Sequence, residues 1–123
     1  MAQKYIIGDL IKCKIGGLEF IAEITNTSKY GYCFKGVSDD ISGTLCKEFA
    51  KDIPLTTEIL DKNGWEHKDE VYFKDYPQRK LVIIDDEVYI INESCSLFLC
   101  KVEFVYQLQH LLFSLGLNSE MEV

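Results

Sequence analysis

The residues of this chain most suited to recognition chemistry sit in its last stretch, KVEFVYQLQHLLFSLGLNSEMEV, residues 101–123. There Tyr106, Gln107, Gln109 and His110 interrupt an otherwise apolar run. Gln and Tyr are neutral readers of an amide or a base, and His adds a charge that changes near about pH 6–7. On helical spacing, Val105, Leu108, Leu112 and Leu115 form one apolar stripe. Phe104, Leu111 and Leu115 form a second stripe with Gln107 in its middle, while Glu103, Tyr106, His110 and Ser114 line the remaining face. Two readings stand. In one, the helix lies on a sheet and a backbone carbonyl at the sheet edge satisfies Gln107. In the other, Tyr106, Gln107 and His110 face a pocket or a partner, with Glu103 and Lys101 beside them and strand aromatics such as Tyr72 and Tyr76 completing the surface.

Other constellations carry less. His67 lies near Glu66 and Asp69, but no Ser or Cys nucleophile accompanies it in any recognisable motif. Asp85, Asp86 and Glu87 are acidic in sequence, yet lack the further oxygen ligands at fixed offsets that a cation loop needs, so a solvated hairpin turn is expected. Gly8-Asp9 and Gly16-Gly17 match neither glycine-rich phosphate fingerprint. Cys13, Cys33, Cys46, Cys95 and Cys100 are an odd number with no C-x-x-C pair, and no His lies near Cys95 or Cys100. Buried free thiols are expected rather than a zinc site or a disulfide framework. No catalytic residue, metal site or cofactor emerges, and the balance leans away from an enzyme.

Charge narrows the partners. The chain has a formal net charge of −7 over 123 residues. Residues 1–62 hold 8 Lys/Arg against 9 Asp/Glu, and residues 63–123 hold 5 against 11, so the excess lies in the second half. Non-specific nucleic-acid binding rests on neutralising phosphates, so bulk binding of that kind is not expected. A phosphate-bearing ligand would need Lys12, Lys14, Lys35 and Lys101 to converge on it. No apolar run approaches the roughly 18 residues that span a bilayer, and the first ten residues, MAQKYIIGDL, lack a signal peptide's apolar core. A cytoplasmic location and no membrane partner follow as expectations.

The elements that must position these residues are short. Residues 5–7 lead into a strand at 10–14, a Gly16-Gly17 turn, and a strand at 18–25 that puts Leu18, Phe20, Ala22 and Ile24 on one face. Residues 30–37 form a third strand with Tyr30, Tyr32 and Phe34 on one face; Ser38-Asp39-Asp40 turns the chain; strands at 41–46 and 49–53 follow. Thr56 is a good N-cap, Leu55 and Leu60 a hydrophobic staple, and Asn63-Gly64 a stop, so a two-turn helix lies between them. After Trp65 come strands at 70–76, broken by Pro77-Gln78, at 80–84, and at 88–91 beyond the Asp85-Asp86 turn. Residues 95–102 are extended before the final helix. The expected fold is α+β in one compact domain. It comprises a small antiparallel β-barrel or curled sheet over 1–53, a short helix over 54–64, a β-meander over 65–102 and an amphipathic helix over 103–116 packed on the sheet. Tyr30, Tyr32, Tyr72 and Tyr76 are candidates for an exposed stacking surface.

Two segments resemble a known family. Residues 52–65, DIPLTTEILDKNGW, resemble the phrase pIPLTpEiLeknGF, and residues 101–116, KVEFVYQLQHLLFSLG, resemble ikyVHQLQNLYFALTG. Both phrases recur in this order in small uncharacterised proteins of Bacteroidetes phages and integrated mobile elements, and the opening IIGDLIKC…GGLEFIAEI is similar to that family's usual start. The chain departs from it at Tyr106, where the family commonly has His, at His110, where it has Asn, at Leu112, where it has Tyr, and at Thr57, where it has Pro. The resemblance implies a non-enzymatic accessory binding protein that counters host defence. It would do so by sequestering a signalling nucleotide of the cyclic-nucleotide or ADP-ribose type, or by blocking a host protein. The alternative is a structural or assembly protein acting as a homo-oligomer with no small-molecule ligand.

Overall fold

The structure is a computed structural model that describes residues 4–38, 40–77 and 79–123. Asp39 and Gln78, in two of the expected turns, lie outside the described residues. In chain order the elements are β1 (Leu10–Ile15), β2 (Leu18–Thr27), β3 (Gly31–Gly36), β4 (Ser42–Cys46), a 3-10 turn (Lys47–Phe49), β5 (Ala50–Lys51) and α1 (Thr57–Lys62). Then follow β6 (Glu66–Lys68), β7 (Val71–Tyr76), β8 (Arg79–Ile84), β9 (Glu87–Ile91), β10 (Ser96–Lys101) and α2 (Val105–Ser114). The fold class is α+β, with antiparallel sheets and two helices. The chain divides into two compact units, one from Met1–Pro54 and Phe104–Glu120, the other from Leu55–Glu103 and Met121–Val123.

The first unit holds a five-stranded sheet in the order β4-β3-β2-β1-β5. It is not a closed barrel: β4 and β5 are its two edges. The β1–β2 hairpin turns at Gly16-Gly17, with Leu10 opposite Glu23 and Ile15 opposite Leu18. Alternation then sends Phe20, Ala22 and Ile24 inward with Ile11 and Cys13, and Tyr32, Phe34 and Leu45 complete the core. Leu18, expected on that buried face, is exposed at the hairpin end, and Tyr30 is exposed while Tyr32 is buried. Residues 5–7 form no strand; Tyr5 instead buries its ring edge-on against Tyr32 and Tyr106.

The final helix is shorter than residues 101–123 and starts later than residue 103. Its beginning is set by backbone pairing: Phe104 bridges Pro54, and the Val105 N–H donates to Ile53 O at 2.9 Å. Its end is set by Gly116, whose φ of 72° is left-handed. The Gly116 N–H reaches Phe113 O at 3.0 Å and the Leu117 N–H reaches Leu112 O at 2.9 Å, the two bonds of a Schellman stop. Val105, Leu108 and Leu112 are buried along α2.

In the second unit β10-β9-β8-β7-β6 form another five-stranded antiparallel sheet. Thr56 caps α1 through a bond from the Ile59 N–H to its hydroxyl at 3.3 Å, and Gly64, at φ 84°, lets the Trp65 N–H return to Leu60 O at 3.0 Å. Asp85 and Asp86 both take positive φ in the tight β8–β9 turn. Leu60, Trp65, Leu81, Val82, Ile83, Val88 and Val102 are buried. The cysteines correct one expectation. All five are free, but only Cys13 is buried, where loss of solvent raises its thiol to about 11; Cys46 and Cys95 are exposed. Among the described residues no helix is long and apolar enough to cross a membrane.

Candidate functional site

In the first unit, the segment before β1 is pinned by its own backbone. The Gly8 N–H donates to Ile24 O at 2.8 Å, the Ile24 N–H to Asp9 O at 2.9 Å, and the Asp9 N–H to Ile6 O at 3.1 Å. The Asp9 side chain turns back into this loop and accepts the Ile6 N–H at 2.8 Å. It is only 2% exposed, so a carboxylate is held in an apolar setting and needs partners. Its second partner is His110, whose Nε2 lies 2.7 Å from Asp9 Oδ2. Burial raises the Asp9 pKa, while the Ile6 N–H and His110 oppose the rise.

Gln109 fastens α2 to the same loop. Its Oε1 accepts the Leu10 N–H at 2.9 Å, and its Nε2 donates to Gly8 O at 3.1 Å and Ser119 O at 3.2 Å. One amide thus satisfies backbone groups from the β1 entrance and from the segment after α2. Neither Asp9 nor Gln109 was expected as a site residue. The signal for Gln109 was present: it stands four residues after Val105 and three before Leu112, on the stripe that faces the core. The signal for Asp9 was only its place beside Gly8, which gives no hint of burial.

A cavity of about 360 Å³ opens over this arrangement, lined by Ile6, Ile7, Gly8, Asp9, Thr27, Gln109, His110, Phe113 and Ser119. Its polar floor is largely consumed by the fold. Its rim is apolar and wet: Ile7 is 65% exposed and Phe113 68%. His110 and Phe113, three residues apart on one face of α2, reach it together. Among the described residues no Lys or Arg lines it.

The expected site residues divide. His110 lines the cavity. Tyr106 contacts it ring to ring, T-shaped at 5.4 Å, but otherwise packs inward against Tyr5 and under the Lys4 ammonium, which stands 5.5 Å from its centroid. Beneath that stack the Tyr5 hydroxyl donates to Asp52, which Lys4 pairs at 2.8 Å, and burial with this bond raises the Tyr5 pKa. Gln107 has a structural use, since its Oε1 accepts the Phe104 N–H at 3.1 Å. That is the reciprocal half of a capping box, the Phe104 side chain having no acceptor of its own.

Glu103, Lys101, Tyr72 and Tyr76 belong to the second unit. Lys101 stands opposite Glu87 on β9, and the Glu103 carbonyl accepts the Leu55 N–H at 3.0 Å. Tyr76 is half-buried under Lys74, and its pKa rises through burial. Tyr72 bonds Thr57 and lines a cavity of about 400 Å³ with Glu70, Asp85 and Asp86. The four tyrosines expected to share a stacking surface are therefore split, two to each unit, with Tyr32 inside a core. His67 is exposed, 3.9 Å from Asp61. Lys12 pairs Glu19 at 3.1 Å, and Lys35 lies with Glu23 in a shallow hollow on β2 and β3. No group of His, Cys, Asp and Glu among the described residues is arranged to hold a metal ion. The chain matches no family model, no curated protein and no solved structure.

Proposed function

We propose that this chain is a non-enzymatic binding protein that takes an apolar side chain of a partner protein into the Asp9–His110 cavity. The observation that carries this is the contrast between rim and floor: exposed Ile6, Ile7 and Phe113 surround polar groups already bonded within the fold. Such a rim gains free energy when a partner covers it, at about 25 cal/mol per Å² of apolar surface. A nucleotide fits less well. Among the described residues the cavity offers no Lys or Arg to a phosphate, and Asp9 adds a carboxylate. Of the two anti-defence modes, blocking a host protein is favoured over sequestering a signal, and the phage or mobile-element setting rests on the resemblance of the two phrases.

We read the first unit's sheet as curled rather than flat. β4 ends at Cys46 and β5 begins at Ala50 on the opposite edge. A flat sheet would put those edges roughly 19 Å apart. The connecting residues reach at most about 14 Å, so the sheet must bend to bring them together.

The test is a titration of the labelled chain with toluene, followed by NMR, beside calorimetry against cyclic nucleotides and ADP-ribose. Toluene should shift the methyl and ring signals of Ile6, Ile7 and Phe113, and the nucleotides should give no heat. Silence from toluene, or a nucleotide that saturates these same signals, overturns the reading.

A second reading, assembly through oligomerisation, has one observation in its favour. β10 is an edge strand, and it carries exposed Leu97 and Phe98. Open edges of that kind pair with other chains. Light scattering that finds a strict monomer at every concentration rejects it.

A further inference from the structure

The chemistry of His110 narrows what the cavity would accept, taking the side-chain-capture reading above as its basis. Asp9 Oδ2 lies 2.7 Å from His110 Nε2, and it already accepts the Ile6 N–H. A carboxylate only accepts, so the shared proton sits on Nε2. In the neutral ring this leaves Nδ1 as an acceptor. No described residue donates to it, and the His110 side chain is 33% exposed. The groups around the ring do not compete for that position. Tyr106 meets it edge-on through its ring, Gln109 is spent on Leu10, Gly8 and Ser119, and the Lys4 ammonium sits over the Tyr106 ring. His110 shares the cavity lining with Ile6, Ile7 and Phe113. The site therefore combines an apolar rim with the His110 ring and the Thr27 and Ser119 hydroxyls, and among the described residues no Lys or Arg lines it. Its complement is an apolar ring bearing one N–H or O–H.

We propose that the cavity receives a tryptophan or tyrosine side chain of a partner protein, with the ring between Ile7 and Phe113 and its N–H or O–H donated to His110 Nδ1. A cavity of about 360 Å³ lies at the small end of ligand pockets, room for one ring system. Aromatic anchors with a polar tip are also the side chains most often found at the energetic centre of protein interfaces. Aliphatic anchors would fill the cleft equally but leave Nδ1 desolvated and unbonded.

The test compares indole with 1-methylindole, which keeps the ring and lacks the donor. Both are titrated into the full chain at about pH 8. The readouts are the signals of Ile7 and Phe113 and the long-range ¹H–¹⁵N spectrum of His110. Indole should bind about fivefold to tenfold tighter than its methylated form and should move the His110 Nδ1 resonance, which 1-methylindole leaves in place. Equal affinity of both at the Ile7 and Phe113 signals overturns the donor requirement and leaves side-chain capture standing. If neither compound moves those signals, both proposals fall.

Discussion

At the residue scale the decisive group is a buried carboxylate that sequence patterning could not flag. Asp9 follows a glycine, in a place that reads as a solvated turn, yet it is nearly inaccessible and holds Ile6 and His110 together. His110 was legible because it stands with Tyr106 on the helix face outside both apolar stripes; its partner was not, because the two are 101 residues apart. Gln107 has a local use that spacing did not suggest. Its position among apolar residues suggested either a sheet-edge bond or a ligand, and its Oε1 caps the first turn of its own helix. Burial raises the pKa of Asp9, which gives it an unusual sign in stability. A carboxyl whose folded pKa lies above its unfolded value contributes stability that is fully present below the unfolded pKa, and that contribution is lost as pH rises through the folded one. Asp9→Asn should therefore remove a component of stability that declines from acid toward neutral pH. Denaturant unfolding at several pH values, with the Asp9 carboxyl followed by ¹³C NMR, checks it. A carboxyl that titrates at or below the ordinary Asp value contradicts the assignment.

Between elements, what the sequence made legible was local chemistry. The α1 cap at Thr56, its stop at Gly64 and the Gly16-Gly17 and Asp85-Asp86 turns all appear where their residue types place them, because each depends on bonds within a few positions. β6 had no comparable signal: Glu66, His67 and Lys68 are all exposed, so no alternation marks the strand. α2 runs two residues shorter at each end than the expected 103–116, because Gly116 closes it in a left-handed stop and backbone pairing with Ile53 and Pro54 holds its start. How α2 attaches to its sheet depends on Gln109, one amide serving Leu10, Gly8 and Ser119. Gln109→Leu keeps roughly the volume, strands the Leu10 N–H away from water and takes the partner from the half-buried Gly8 carbonyl. It should cost about 1–3 kcal/mol for each group left unbonded. Chemical denaturation reads the loss, and faster exchange of the Leu10 amide locates it. A variant as stable as the parent would show that water takes over these bonds.

For the molecule as a whole, the chain order conceals the organisation of the core. The last helix follows the β-meander in sequence, yet it belongs to the unit built on the first five strands, so that unit is assembled from two separated stretches. Composition gives no sign of this, since both halves are equally rich in short strands and no linker intervenes. Each unit has its own sheet and its own buried residues, Ile11, Ile24 and Leu108 in one, Leu81, Val88 and Trp65 in the other. Stability need not then be uniform along the chain, because cooperative openings follow such units. Leu108→Ala and Leu81→Ala each remove a fully buried side chain, at a cost of about 2–5 kcal/mol. Native-state hydrogen exchange should show Leu108→Ala lowering protection in β1, β2, β3 and α2 while β8 and β9 keep theirs. Leu81→Ala should give the reverse pattern. If either substitution lowers protection equally in every strand, the two units open as one cooperative block. A partner bound at the Asp9–His110 cavity would then stabilise all of it; if the patterns separate, binding there protects the first unit alone.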